Sequence, residues 1–183
     1  MRHTGKIFAV VATLVLAAGV AAAQPAGEAP KPGPEQQKLG YFVGDWKSEG
    51  ELKPNPFMPG GKYSSTDRCA WFEGGFAVVC HSEGSGPMGS TKGIGIMGYS
   101  TEEGVYTYYG VDNSPMAMAS VPRGTVQGDT WTYTDEGKMG GKMVKSRYVI
   151  QQLSPTSYTF KWEMQDEASA WQTIMDGKAT KAE

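Results

Sequence analysis

Histidine is nearly missing from this chain of 183 residues, which has only His3 and His81. A zinc site built from several imidazoles has no ligand set here, and a Ser-His-Asp triad would have to run through His81 alone. Cysteine is equally sparse: Cys69 and Cys80 are the two, and they are not spaced as the Cys-x-x-Cys of a redox or metal motif. Basic charge is short as well, with 17 Lys and Arg against 19 Asp and Glu. Without a basic face, neither nucleic-acid binding nor a polybasic membrane surface is expected. Helical periodicity is absent between the apolar segments, which argues against a helical bundle or an alternating α/β sheet.

One long apolar run exists, Ile7 to Val20, preceded by Arg2, His3 and Lys6 and followed by Ala21-Ala22-Ala23 before Gln24. This is the pattern of a secretory signal peptide over residues 1–23 with an Ala-x-Ala cleavage site. A retained anchor is the competing reading, but the run falls short of the ~20 residues that span a bilayer. No cysteine follows the cleavage site, so no lipid anchor is expected. The mature protein is predicted to be periplasmic or secreted, without a stable membrane anchor, at a net charge of about −4 once Arg2 and Lys6 are gone. Residues 24–37 are proline-rich and lack large apolar side chains, and they read as a disordered linker. Residues 38–183 form the single folded domain, with Lys38 to Phe42 expected to close one end as a short helical turn.

What is abundant is glycine, aromatics and alternation. In Val43-Gly44-Asp45-Trp46-Lys47-Ser48-Glu49-Gly50-Glu51-Leu52, Trp46, Ser48, Gly50 and Leu52 share one parity and the charges share the other. That is a strand with one face buried and one in water. Similar segments follow over residues 62–72, 76–83, 92–99, 105–111, 116–126, 130–134, 142–153, 157–165 and 170–179, with turn signals such as Gly104, Gly128-Asp129 and Gly140-Gly141 between them. The interval Lys53 to Gly61, with three prolines, is a loop suited to a mouth or lid. About ten sequential antiparallel strands leave two raw edges unless the sheet closes. The fold class is therefore all-β: one closed, up-and-down antiparallel barrel.

Gly74-Gly75 is a hairpin signal. If it is the pivot, residues whose numbers sum to 149 face one another, so Cys69 opposes Cys80 and Trp71 opposes Val78. Facing positions lie within disulfide reach, and an oxidising compartment favours a Cys69–Cys80 bridge. His81 then points outward. Gly84-Ser-Gly-Pro-Met-Gly89 and Gly93-Ile-Gly-Ile-Met-Gly98 both match Gly-x-Gly-x-x-Gly, but no helix pattern follows to receive a pyrophosphate. The first reads as a loop, the second as a strand with an aromatic packed over bare backbone. The carboxylate pairs Glu102-Glu103, Asp135-Glu136 and Asp166-Glu167 read as solvated turns. Asp67 shares the parity of Cys69 and would be a buried carboxylate in need of a partner such as Arg147. Nine methionines remain after processing. Thioethers suit Cu(I), but they also fill adaptable apolar interiors, which is the reading adopted; no metal and no cofactor is expected.

Gly44-x-Trp46, Trp71-x-x-Gly74-Gly75-Phe76, Gly95-x-x-Gly98-Tyr99-Ser100, Tyr106-x-Tyr108, Lys145-x-Arg147 and Trp171-x-x-Ile174-Met175 together resemble the bacterial domain-of-unknown-function fifteen-seventy-nine family. The resemblance runs from about Lys38 to the C-terminus. It implies a calycin-like barrel, related in architecture to lipocalins and fatty-acid-binding proteins, with no established activity. Haem-binding nitrobindin-type barrels share the Gly-x-Trp opening but use a histidine near the C-terminus, where this chain has none.

Two functions compete. The first is a non-enzymatic barrel binding a small hydrophobic or amphipathic ligand, lined by Trp46, Tyr63, Trp71, Met118, Trp131, Tyr148, Phe160, Trp162 and Met164. The second is a hydrolase or isomerase acting at the mouth through Asp67, His81, Arg147 or a tyrosine. A filled barrel serving a structural or interaction role is the bland third case.

Overall fold

In the computed structural model, residues 29–113, 121–166 and 170–182 are described. The expected signal peptide over residues 1–23, residues 24–28 of the expected linker, Ser114 to Ser120 with the start of the expected sixth strand, Glu167 to Ser169 and Glu183 lie outside them. A short helix α1, Pro34–Lys38, runs into a 3-10 turn at Leu39–Phe42. Ten strands follow: β1 Gly44–Leu52, β2 Gly61–Trp71, β3 Val78–Gly86, β4 Gly89–Ser100, β5 Val105–Asp112, β6 Arg123–Gln127, β7 Thr130–Met139, β8 Lys142–Ser154, β9 Ser157–Asp166 and β10 Gln172–Lys181. Each pairs antiparallel with its chain neighbour, and β1 pairs with β10 from Trp46↔Lys181 to Leu52↔Met175, closing the barrel. Closure joins the first and last strands, as the run of sequential strands requires, and the narrowest seam among the described residues is β5–β6, paired at Tyr106↔Gly124 and Thr107↔Arg123.

Burial in β1 alternates as its parity requires, with Trp46, Ser48 and Leu52 buried between exposed charges. The hairpin pivot also holds. Phe72 and Ala77 hydrogen-bond across it, Cys69 faces Cys80, and Trp71 faces Val78. Gly74 and Gly75 take φ of 87° and 75°, a left-handed conformation that side chains rarely tolerate. The cysteines form the disulfide, with Cα atoms 4.0 Å apart.

Four expectations need correction. Pro34 to Gln37, assigned to the disordered linker, are the body of α1, with proline at the first turn where its missing N–H costs nothing. The sixth strand is expected from Met116; among the described residues Val121 and Pro122 lie outside it and it begins at Arg123, because Pro122 cannot donate to a ladder. Asp135-Glu136 is not a turn but lies within β7, whose partner β8 continues the pairing to Met139↔Lys142. The stretch Gly84 to Gly89 is a tight hairpin rather than an open loop, Gly86 facing Gly89 across Pro87-Met88.

The helix and 3-10 turn close one end. Trp46 Nε1–H donates to Phe42 O at 2.8 Å, and Tyr41 Oη–H donates to Ser157 O at 2.9 Å. Tyr106 Oη–H donates to the Glu35 carboxylate at 2.6 Å, which, with Lys38, holds that carboxyl below its ordinary range.

Candidate functional site

The interior divides into three levels set by where each strand's inward parity falls. At the closed end an aromatic floor forms. Phe42 meets Trp131 edge-on at 5.0 Å, Tyr106 meets Trp131 at 4.7 Å, and Trp46 lies against Tyr158 at 4.9 Å. Trp46 is 2% exposed and Trp131 1%, while Leu39 and Val78 are fully enclosed. Lys181, inward at the end of β10, places its ammonium 5.1 Å from the Trp46 ring centroid.

Above the floor is a polar level. Asp67, paired in register with Trp46 on one side and Ser82 on the other, accepts hydrogen bonds from the hydroxyls of Ser65 (3.2 Å) and Ser82. Burial raises the Asp67 carboxyl above its ordinary range, and the serine hydroxyls pull it part of the way back. Among the described residues, no Lys, Arg or His forms an ion pair with it. Tyr63, Tyr108, Tyr148 and Tyr158 are the phenols that feel its charge. Desolvation pushes Tyr108 up to about 12 and Tyr148 well above its usual value, so both stay neutral. Tyr148 stacks on Phe160 at 5.9 Å and 13°. The glycine-rich strand explains how Tyr108 fits: a Cβ on Gly95 would lie 2.8 Å from the Tyr108 hydroxyl, so bare backbone is what lets the ring lie there. Tyr133, 6.3 Å from Tyr108 between ring centroids, has a buried hydroxyl with no hydrogen-bond partner among the described residues, as does the Trp131 indole N–H. Buried polar atoms without partners are uncommon in folded proteins.

The third level is the mouth. Leu52, Met58, Val144, Met164 and Ile174 cluster there, with Tyr63, Met139, Trp162 and Met175 packed on them. Met58 comes from the loop at 53–60, as expected for a lid. Asn55 Oδ1 accepts from the N–H groups of Phe57 (2.9 Å) and Met58 (3.1 Å), which folds the loop back. The Lys53 N–H donates to Ile174 O at 2.9 Å, anchoring the loop's base to β10. Met58 is thereby buried, 3% exposed.

Of the residues expected to line the interior, Trp46, Trp131, Phe160 and Met164 are buried there, and Tyr63, Tyr148 and Trp162 are partly buried and packed on its clusters. Met118 lies outside the described residues. Trp71 has inward parity but is 38% exposed. Leu39 and Phe42 already fill that end, so Trp71, the last residue of β2, lies over Gly40 of the 3-10 turn instead. Arg147 is not the partner of Asp67: it is on the outer face of β8, bound to Glu163 and 4.3 Å from the Trp171 ring centroid. His81 is outside too, on the wall between two open depressions of about 420 and 620 Å³. Among the interior residues not singled out from the sequence as lining are Ser65, Ser82, Tyr106, Tyr108, Tyr133, Tyr158 and Met58. Ser82 was within reach, since its number and that of Asp67 sum to 149 as for every facing pair of that hairpin.

The closed antiparallel barrel, with its plugged floor, inward polar level and loop across the mouth, has a calycin-like, lipocalin-like fold. The chain belongs to the family described as "Protein of unknown function (DUF1579)", whose model matches residues 31–181. Comparison with curated proteins gives no match. Among solved structures the chain is similar to the S-type phycobiliprotein lyase CPES from Guillardia theta, at 14% identity and a TM-score of 0.56, covering 81% of this chain and 93% of that one. It is also similar to Rv2717c from M. tuberculosis, at 14% identity and a TM-score of 0.58, covering 84% and 100%. At that identity the likeness shows the fold.

Proposed function

We propose that this protein is an exported, non-enzymatic barrel that takes a small hydrophobic or amphipathic ligand into its interior through the end covered by Met58. The observation that carries the reading is the hydroxyl-bound Asp67, partly buried on the inward side of β2 between Tyr63 of the mouth cluster and Cys69 of the floor cluster. A barrel that merely fills itself has no need of a desolvated carboxylate at mid-height, which costs stability. A few polar groups in an otherwise apolar enclosure are how small-ligand sites fix orientation. The methionines at the mouth suit a site that must deform to admit its ligand. Export rests on the leader at residues 1–23, and the Cys69–Cys80 bridge is compatible with an oxidising compartment. An enzyme using Asp67 with His81 or Arg147 is less well supported, because the barrel wall separates the first from the other two.

The test is native mass spectrometry of protein exported by its own leader, followed by solvent extraction. A discrete extra mass released by extraction supports the binding barrel. An apo mass, together with no uptake of the neutral fluorophore N-phenyl-1-naphthylamine, would point to a filled barrel instead.

A further inference from the structure

Resting on the binding-barrel reading, we infer that the ligand's polar end is an organic cation, a protonated amine or its equivalent, seated on Asp67 among Tyr63, Tyr108, Tyr148 and Tyr158. A carboxylate offers about four acceptor positions, and Ser65 and Ser82 occupy two of them. Hydroxyl donors satisfy hydrogen bonding but bring no positive charge. Lys181, the inward cation of the closed end, is engaged with the Trp46 ring, and Arg147 is committed to Glu163 on the outside. When ionised, Asp67 is thus matched by no cationic side chain among the described residues, which is part of why its burial favours the protonated form until a cation arrives.

The surroundings suit an ammonium better than a neutral or anionic head. Tyrosine faces attract cations, and desolvation strengthens that attraction. Their phenol oxygens accept hydrogen bonds, and burial keeps these phenols neutral, so no second anion competes with Asp67. An ammonium carries three N–H donors. One meets the carboxylate in a charge-assisted bond, and the phenol oxygens of the tyrosines around Asp67 can accept from the others. An anionic head would meet like charge at Asp67, and an alcohol would leave that charge unmatched. The apolar body of the ligand then falls among Trp162, Met164 and Met175 toward the mouth.

The experiment titrates the mature chain calorimetrically with phenethylamine, 2-phenylethanol and phenylacetate, which share a body and differ in head charge. The same titrations are run on Asp67→Asn and Tyr108→Phe, each checked for a native melt. The expected order is amine at least tenfold tighter than alcohol, with phenylacetate weakest. Asp67→Asn should bring the amine down to the alcohol's affinity and leave the alcohol unchanged. Tyr108→Phe should weaken the amine more than the alcohol. Equal affinities for the three probes in the wild type would overturn the cation inference while leaving the binding barrel standing. The same holds if the amine affinity survives Asp67→Asn. If none of the three binds and N-phenyl-1-naphthylamine is also excluded, the binding barrel itself fails, and the cation inference with it.

Discussion

The two ends of this barrel are built from different materials. The floor is aromatic, locked by edge-to-face ring contacts and by the Trp46 and Tyr106 hydrogen bonds to the cap. The mouth is mostly methionine and branched aliphatic side chains, with Met58 brought in on a loop held by the Asn55 side chain, the Asn55–Met58 backbone bridge and the Lys53 backbone bond to Ile174. Rings with few rotamers make a defined, rigid packing, and thioethers with three rotatable bonds make an adaptable one. Stability is thus expected to reside mainly in the floor, and ligand access in the mouth, with the Asp67 level between them.

The largest effect should come from Trp46→Ala. Removing a fully enclosed indole at the junction of cap, β1 and Tyr158 should cost about 3–5 kcal/mol, read from urea denaturation. If this variant loses less than one at the mouth, the assignment of rigidity to the floor is wrong. Next is the disulfide at the floor's rim. Replacing both Cys69 and Cys80 by serine frees a loop with a sequence separation of 11, for an expected loss of about 3 kcal/mol on the chain-entropy account. Met58→Ala should follow at about 2 kcal/mol, the low end for a buried methionine because its loop can settle inward. Its distinguishing signature is kinetic: faster uptake of N-phenyl-1-naphthylamine in stopped flow than in the wild type. Uptake at an unchanged rate would mean that the ligand route lies elsewhere.

Much of this division was legible in the residues. Period-two alternation needs only local sequence, so Trp46, Ser48 and Leu52 could be assigned inward before any pairing was known. The Gly74-Gly75 pivot then fixed the register of β2 and β3, hence the disulfide. Parity says which face a residue takes but not how far along the barrel it lies. Trp71 has the correct face and the wrong height, because the cap had already filled that end. Arg147 failed differently: its strand's parity puts it outside, but choosing a partner by charge alone passed over the two serines that register brought to Asp67. The Met58 insertion was beyond reach, since the loop's fold depends on Asn55 capping its own backbone rather than on any periodic pattern.

Asp67 provides the smallest and most specific expectation. Its carboxyl is raised in the folded state by burial, so the native protein holds this proton over a range where the unfolded chain has released it. Stability depends on pH through the difference in bound protons, and here the unfolded state binds fewer. The contribution of Asp67 is therefore fully present below the ordinary carboxylate range and is lost as pH rises through the raised folded value. The groups facing it, Tyr63, Tyr108, Tyr148 and Tyr158, are themselves raised and remain neutral across this interval, so they leave its slope intact. Glu35 and Glu51, both lowered, slope the other way but are common to the wild type and Asp67→Asn, so they cancel in the difference. Urea midpoints of the two proteins measured across pH should show the wild type losing ground to Asp67→Asn as pH climbs past the ordinary carboxylate range, then a plateau. A difference that rises with pH would mean that the folded barrel favours the carboxylate even without a ligand. Saturating phenethylamine should reverse the slope, because a bound cation favours the ionised carboxyl, and this couples the polar level to the occupancy of the barrel rather than to the packing of either end.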